Sequence, residues 1–598
     1  MTGKIQKGLV YLKNRGIREF TARAAEKLAD ARFDYNRWVR AQEPSPLEMG
    51  YQKSLRIGSM PKIRVMILQQ EGEPVRGKAF RRTEETLRRQ TYLNAELCDA
   101  LTTQVSDEDL IVFVRAGDLL PPHALFELAR AILDGSSCVY SDEDRYRLAK
   151  DGEREKLMLS DPLFKPDFDP DYLRSVPYIG SLFGVKAGIL RRAAHILRGA
   201  AGMPAAELAD PAVYYEMTLL CTELSREHVA HVPKILCHAA GRKEKIVLSQ
   251  SDAGGKPQDE EAMRRQENQV RDEAFIQVLR RDLSRKGEAG IVERGRGPLC
   301  FHIRYLHPES PLVSLVIPNK DHASMLKRCL DSVCSLTTWE RLEIIIVENN
   351  SSEPETFSFY DTLKEGMYRQ LPVRVVRYRE KGFHFSAIIN EGVREAAGDY
   401  VVLMNNDVTV KTPDWIERLL SQCMREKVGA VGPKLLYPDG TVQSAGIVIG
   451  IMGFAGSMMV DGKNEDPGYM NRAAAVSRMS AVTAACMMVS REAFWRAGGF
   501  SMEFPVALND VDFCLRLGEA GYHVLFEPTA ELYHHESASR GYENSREKSK
   551  RFENEKRHFR KKWEKTLKEG DPHYNPNLSL RTCHYEINAG VPKWLICG

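Results

Sequence analysis

The 598-residue chain lacks several features that would settle its class at once. Its twelve cysteines form no C-x-x-C pair, and the closest two, Cys329 and Cys334, have four residues between them. That pattern excludes a disulfide framework and a zinc ribbon, and it fits thiols kept reduced in a cytoplasmic protein. Nowhere does an apolar run reach the ~18–20 residues of a membrane span. The opening MTGKIQKGLVYLKNRG has no continuous apolar stretch, so it is not read as a secretory signal. Neither sign of charge dominates: Lys and Arg total 85 against 82 for Asp and Glu, a formal net charge of +3. This excludes a surface that is wholly a polyanion binder, and no nucleic-acid partner is expected. A dinucleotide fingerprint is also missing. Val313–Ile317 runs into PNKD rather than G-x-G-x-x-G, and Gly446, Gly450, Gly453 and Gly456 have the wrong spacing, which excludes a dinucleotide-dependent oxidoreductase.

What is present is a globular composition, 43% hydrophobic and 28% charged, too long for one core. Residues 1–60 read as a basic helical segment, with ten Lys/Arg and four Asp/Glu in the first forty positions. An α/β region follows over 61–242, opening on the apolar run Ile63–Leu68. Residues 243–300 read as a charged linker with a solvated helix near Glu260–Lys286. A second α/β region spans 301–545, with strands expected at Val313–Ile317, Leu342–Val347, Val373–Tyr378 and Tyr400–Met404. The chain closes with a basic helix and tail over 546–598. Ser545–Lys568 holds eleven Lys/Arg and four Glu, with Phe552, Phe559 and Trp563 near one face. Such a helix either docks its aromatics on the second region or lies on an anionic membrane surface.

The two α/β regions read as diverged copies. RRQTYLNAELC (88–98) parallels SLTTWERLEII (335–345), and FVRAGDLLPPHALFELARAI (113–132) parallels LMNNDVTVKTPDWIERLLSQC (403–423). Glu96 to Gly117 is 21 positions, whereas Glu343 to Asp407 is 64, so the first copy lacks about two βα units. Those units would flank the crevice at the strand ends where open α/β sheets bind ligands.

Three constellations carry chemistry in the second copy. NND (405–407) follows the strand YVVLM, and Asp407 offers a hard oxygen for Mg²⁺ or Mn²⁺, although a turn uses the same residue types. FPVALNDVDFCLRL (504–517) brings Asp510 and Asp512 to a helix start, one a candidate general base and the other a cap. YHHESAS (533–539) places His534 after a strand, where a neutral imidazole can complete a metal site.

Taken in order, these motifs make residues 311–540 resemble the family 2 glycosyltransferases of the GT-A fold. PLVSLVIPNKD (311–321) resembles the first strand and nucleotide loop, and EIIIVENNSS (343–352) the second strand with its terminal acid, here Glu348. FSAIINEGVREAAGDYVVLMNND (385–407) resembles the approach to the family's D-x-D motif, with Asn405 in the first acidic slot. SAVTAACMMVSREAFWRAGGF (480–500) is similar to the acceptor-side strand and helix. NDVD resembles the E-D-x-D motif, with Asn509 for Glu and Asp510 in the base position, and His534 falls in the metal-histidine position. The wording is closest to bacterial enzymes of surface polysaccharide, rhamnosyltransferases among them. YSDEDR (140–145), LFKPDFDPDYLRSVPYIG (163–180) and HVPKIL (231–236) resemble the amino-terminal half of two-domain members, where the D-x-D site reads Arg115-Ala116-Gly117 with only Asp118 beside it. The acid cluster Asp142, Glu143 and Asp144 reads as a solvated turn.

The resemblance implies an α/β protein with two copies of the Rossmann-like GT-A fold, the first degenerate. It implies inverting transfer of a sugar from a UDP- or dTDP-sugar, dTDP-rhamnose among them, to an O-antigen or cell-wall glycan, including a lipid-linked one. Asp407 and His534 would hold Mn²⁺ or Mg²⁺, and Asp510 would be the base. Pro318, Asn319, Glu348, Asn390, Asn405 and Asn406 would hold the nucleotide-sugar, with Asn509 and Asp512 supporting. The expected location is the cytoplasm, with peripheral contact at the inner membrane. The alternative, which Asn405 and Asn509 keep open, is an inactive glycan-binding or scaffold protein of polysaccharide assembly.

Overall fold

The structure is a computed structural model. It describes residues 33–590 apart from 56–59, 70–73, 75, 103, 152–153, 200–203, 241–257, 364 and 536–545. The helical expectation for residues 1–32 lies outside the described residues, and Tyr35–Ala41 and Pro46–Ser54 are helical.

The first unit is built on β1 (Ile63–Leu68), β2 (Ala95–Leu97), β3 (Leu110–Arg115), β4 (Cys138–Asp151), β5 (Arg154–Leu163), β6 (Phe183–Lys186) and β7 (Val229–Ala240). These form one sheet in the order β2-β1-β3-β6-β4-β5, with β7 also on β4. The run IRVMIL is continuously apolar because both faces of β1 are covered. Ile63, Val65 and Ile67 enter one core, and Met66 and Leu68 the other.

A hairpin of β8 (Gly290–Arg294) and β9 (Phe301–Tyr305) leads to the second unit. Its strands are β10 (Val313–Asn319), β11 (Leu342–Glu348), β12 (Met367–Tyr368), β13 (Leu371–Arg377), β14 (Tyr400–Met404), β15 (Val408–Val410), β16 (Val428–Leu436), β17 (Val442–Ser444), β18 (Ile447–Ile449), β19 (Ala455–Ser457), β20 (Ser477–Arg478), β21 (Cys486–Ser490) and β22 (His523–His534). The large sheet runs β12-β13-β11-β10-β14-β21-β16-β22-β15, with β17 on β16 and β20 on β22. Val313, Leu315 and Ile317 alternate with Val316 between two cores, the same two-sided burial as in β1.

The duplication is visible in the strand pairing. The central path β2-β1-β3-β6-β4-β7 matches β11-β10-β14-β21-β16-β22, and the sense of every pairing agrees: parallel, parallel, antiparallel, antiparallel, parallel. Between β2 and β3 the first unit has only residues 98–109. At that point the second has the helices Pro354–Asp361 and Phe385–Glu395 around β13 and its short partner β12. The deletion is therefore two helices and one full strand.

Two expectations are corrected. The helix Gln258–Lys286 is not a solvated connector. Phe275, Ile276, Leu279 and Leu283 recur at helical spacing and enter the first unit's core, where Phe275 stacks on Tyr215 at 5.1 Å. The Asp142–Asp144 cluster is not a solvated turn either, since Asp142 and Asp144 are fully buried. Asp142 accepts from Asn575 Nδ2 (2.9 Å) in the C-terminal tail and lies 2.9 Å from His231 Nε2. Lys165, also fully buried, donates to the carbonyls of Ser141 and Ile179 (both 2.7 Å). The tail thus straps the first unit to the second, where Asp571 accepts from Ile449 N (2.7 Å) and Cys583 O from Met459 N (2.8 Å). A buried ionic join lies beside it: Asp171 takes both Arg425 (2.5 Å) and Arg478 (2.8 Å).

Candidate active site

Strand β14 ends at Met404, and the chain turns through Asn405, Asn406 and Asp407 into β15. Strand β15 is antiparallel to the end of β22, with Val408 opposite His534. This pairing, between residues far apart in sequence, brings the acid and the imidazole together: His534 Nε2 is 3.1 Å from Asp407 Oδ1 and 3.3 Å from Asn405 Nδ2. Both side chains are nearly buried. The other ring nitrogen, Nδ1, is 2.6 Å from Gln443 Oε1 on β17, while Gln443 Nε2 donates to the His534 carbonyl at 3.4 Å. With its amide so oriented, Gln443 accepts the Nδ1 proton and leaves Nε2 as a lone pair facing the carboxylate.

Asn406 donates to Asn319 Oδ1 (2.6 Å), and Asn319 donates to Tyr360 Oη (2.8 Å), a buried polar chain at the end of β10. Pro318 and Asn319 pair in parallel with Val347 and Glu348. Glu348 accepts from Ser351 N at 2.5 Å. The two loops beyond these strands are locked to each other, because Asp321 accepts from Ser352 N (2.6 Å) and Glu353 N (2.8 Å). Burial works to raise the Asp321 pKa, but these backbone donors outweigh it and hold the carboxyl below its ordinary value.

Asp510 lies in the first turn of the helix Asn509–Glu519. Its carboxylate accepts from Ala484 N (3.2 Å) and Val511 N (2.9 Å). The adjacent Ala485 carbonyl accepts from Asn405 N at 2.9 Å, so one short backbone step links Asp510 to the NND turn. Burial pushes the Asp510 pKa up against its Ala484, Val511 and Thr483 donors. Asn509 bridges its own turn, donating to the Val506 carbonyl (3.2 Å) and accepting from Asp510 N (2.8 Å).

Asp512 departs from the capping role. The residue before the helix is Leu508, in a left-handed conformation with no side-chain cap bond. Asp512 is instead fully buried between Arg516 (2.8 Å), Lys562 (2.8 Å) and Trp563 Nε1 (3.0 Å). It thereby anchors the C-terminal helix Arg546–Lys562, which lays Phe559 into the same core. Asn390 stands apart from the Asn319–Asn406 chain. Its amide exchanges two 2.8 Å hydrogen bonds with the backbone of Phe500, so it positions that loop. Gln443, Tyr360 and Thr483 were not singled out from the sequence, because no local spacing ties them to the motifs they touch.

Among the described residues no group of three or more His, Cys, Asp or Glu is gathered as a metal cage, and none of the described cysteines is bonded to another. No helix among them is long and apolar enough to cross a membrane.

Residues 314–498 match the family described as glycosyl transferase family 2. The chain is 35% identical over 486 residues to the uncharacterized protein y4gI of Sinorhizobium fredii, covering 80% of this chain and 49% of that protein. It is 32% identical over 478 residues to the O-antigen biosynthesis protein RfbC of Myxococcus xanthus, covering 79% and 34%. The N-acetylglucosaminyl-diphospho-decaprenol L-rhamnosyltransferase of Mycobacterium tuberculosis is 26% identical over 250 residues, covering 39% of this chain and 77% of that one. The chain thus spans about half the length of the first of these relatives and a third of the second. Asp510 and His534 lie beyond the matched family segment, so their placement rests on the contacts above. Of the chain's two related α/β units, the second carries a glycosyl transferase family 2 domain over residues 314–498.

Proposed function

We propose that the second unit, over residues 301–545, transfers a sugar with inversion from a nucleoside-diphosphate donor to a bacterial surface glycan. The observation that carries this reading is the Asp407–His534 pair at the end of the sheet, with Asp510 held one backbone step away. The donor set suits a divalent cation, Mn²⁺ or Mg²⁺. A carboxylate oxygen and an imidazole lone pair face each other at 3.1 Å, the arrangement a shared cation stabilises. Two protein ligands are enough when donor phosphates and water complete the shell. When bound, the cation neutralises charge on the departing diphosphate.

The chain's own residues supply the rest. Glu348 and the Asn319–Asn406 chain border the crevice that receives the nucleoside and diphosphate, with Pro318 in the same strand end. Asp510 takes the proton of the acceptor hydroxyl as that oxygen attacks the anomeric carbon. The bond to the diphosphate breaks on the opposite face, so the configuration inverts. Its raised pKa brings Asp510 closer to the working pH, as a base requires. Asn509 and Asp512 hold the loop and helix that present it.

The names of the relatives support an O-antigen or related cell-surface glycan as product and rhamnose as a sugar moved. A dTDP- or UDP-sugar as donor, dTDP-rhamnose among them, rests on the resemblance of the motifs. A diphosphate-linked lipid acceptor is in keeping with the mycobacterial relative's name. Such a reaction belongs in the cytoplasm, where nucleotide-sugars are made. The test is a panel of nucleotide-sugars with Mn²⁺, scored for donor hydrolysis and for transfer to lipid-linked acceptors. Metal-dependent release of nucleoside diphosphate from one donor is expected; no turnover of any donor would favour the scaffold alternative.

A further inference from the structure

The outward face of the C-terminal helix is not explained by transfer chemistry. Phe559 faces the core. At 3.6 residues per turn, Lys550, Arg557 and Lys561 fall within about 40° of one another on the opposite side. All three are exposed, and among the described residues none of them makes an ion pair. Their neighbours differ, for Lys556 lies over Phe552 and Lys562 is drawn to Asp512 and Glu503.

Beside this stripe stands an apolar tip. Arg560 Nε donates to the Gly453 carbonyl at 2.9 Å, which fixes the 451–453 turn against the helix. Met452, in that turn, has φ 54 and is 66% exposed. Its backbone N–H donates to the Leu580 carbonyl at 2.9 Å, and Leu580 is itself 38% exposed. A bulky side chain held at positive φ and turned into water has no packing gain within the chain. On the other flank of the helix, a recess of about 500 Å³ has Lys550, Asn554 and His558 on one wall and Pro505 on the other. Pro505 belongs to the loop that leads to Asp510, and Ala507 N in that loop donates to Glu555 of the helix at 2.6 Å.

We propose that Lys550, Arg557 and Lys561, with the Met452–Leu580 tip, form a docking surface for an anionic phospholipid bilayer. Unpaired cations meet lipid phosphates while two apolar side chains enter the headgroup boundary, the combination that holds interfacial helices. The occupant is a bilayer rather than an acidic protein because two exposed apolar side chains, Met452 and Leu580, stand on a turn that is hydrogen-bonded to the basic helix. Docking there sets the recess and the Asp510 loop at the level of the headgroups. The proposal does not rest on the transferase reading, since binding is measured without donor or turnover.

The test is co-sedimentation of the full chain with phosphatidylcholine vesicles, with and without phosphatidylglycerol, at low and high salt. Binding is expected only with phosphatidylglycerol and is weakened by salt. Replacing Lys550, Arg557 and Lys561 together by Ala should weaken it about a hundredfold. Met452→Asn, which suits the left-handed backbone, should weaken it several-fold with the melting temperature held. Equal binding to both vesicle types, no binding to either, or unchanged binding by the triple variant at native melting temperature would each overturn the proposal. So would retention of the chain by soluble polyglutamate through the same three residues with none on vesicles, which would assign the stripe to an acidic protein.

Discussion

In the second unit Asp407 directly precedes the residue paired with His534; in the first, Asp118 directly precedes Leu119, whose bridge partner is His238. The two places are the same in the sheet, and both units keep the acid and the histidine. What differs is how they are engaged. Asp118 accepts from Ser181 Oγ (2.7 Å) and Ala240 N (2.9 Å), and burial pushes its pKa up. His238 is held by Asp144 at 2.6 Å, and Asp144 also accepts from Tyr35 Oη at 2.8 Å. Strand register puts Ser181, whose hydroxyl donates to Asp118, where the second unit has the methyl of Ala485. The comparison teaches that the same acid and histidine at the same place in a sheet can be given different hydrogen-bond partners by the strands around them.

The largest break in this comparison is Asp407→Ala. It removes the carboxylate facing His534 and should abolish transfer, a fall of at least about 10³-fold, together with metal-dependent donor binding. Near-normal turnover would remove Asp407 from the chemistry. The counterpart Asp118→Ala should leave turnover unchanged and cost roughly 1–3 kcal/mol of stability through the buried donors it strands. Because the first unit shares its core with residues 258–305 and its Asp142 hub with the tail, nucleotide binding is best counted on the whole chain. Calorimetry should find one donor site per chain, and two would show that the first unit still binds nucleotide.

Asp510→Asn comes next. Ala484 N and Val511 N donate to different oxygens of the carboxylate, so the amide keeps one of these bonds and loses the other. Donor affinity should hold, stability should fall by about 1–3 kcal/mol, and transfer per folded molecule should fall by about 10²–10⁴. Asp512→Asn sharpens the contrast, since it disturbs a buried group tied to Lys562 and Trp563 and should show as lost stability, about 3 kcal/mol or more. If Asp510→Asn kept full turnover while Asp512→Asn lost it at an unchanged melting temperature, the base would be Asp512.

These residues also mark how far the sequence alone could reach. Strands such as Ile63–Leu68 and Tyr400–Met404 are legible because continuous apolar runs need a two-sided core, and the order of the NND, NDVD and HH motifs follows from that frame. The match between the copies was legible too, but it set Arg115-Ala116-Gly117 in the D-x-D slot. Strand β3 runs one residue further than β14 before its turn, and only the bridge to His238 reveals Asp118 as the counterpart of Asp407. Partnerships such as Asn575 with Asp142, 433 positions apart, leave no local pattern. The helix Gln258–Lys286 is charged enough to predict a solvated face, and its polar composition masks the narrow apolar stripe of Phe275, Ile276, Leu279 and Leu283.

Gln443→Leu is expected to act more weakly. It removes the acceptor that holds the Nδ1 proton of His534, so the ring can rotate or change tautomer and Nε2 no longer faces Asp407 reliably. Loss of such a supporting residue lowers metal affinity by about 10–100-fold. Titrating donor binding with Mn²⁺ should show this shift, and saturating metal should restore most of the turnover. Gln443→Glu, which keeps the acceptor, should rescue the affinity. An unchanged metal requirement in Gln443→Leu would show that His534 needs no such orientation.

The smallest effect on transfer belongs to the first unit's hub, where the change appears only in stability. Burial alone would lower the pKa of His231, but the carboxylates of Asp142 and Asp167, 2.9 and 3.2 Å away, raise it to about 9. Because the folded value lies above the ordinary ~6.5 of an unfolded histidine, the charged form is stabilised by folding. That stability is fully present below about pH 6.5 and is lost as pH rises through about 9, a fall of at most roughly 3 kcal/mol. The carboxylate of Asp142 also accepts from Asn575 and Asn577 of the tail, so the loss should appear first as weaker strapping between the units. Asp142→Asn removes most of the raising charge and should flatten the melting temperature between pH 7 and 9. Turnover per folded molecule at neutral pH should stay at the native level. A steep decline persisting in Asp142→Asn would place the titrating group elsewhere, and a fall in turnover without one in melting temperature would mean that the first unit still takes part in the chemistry.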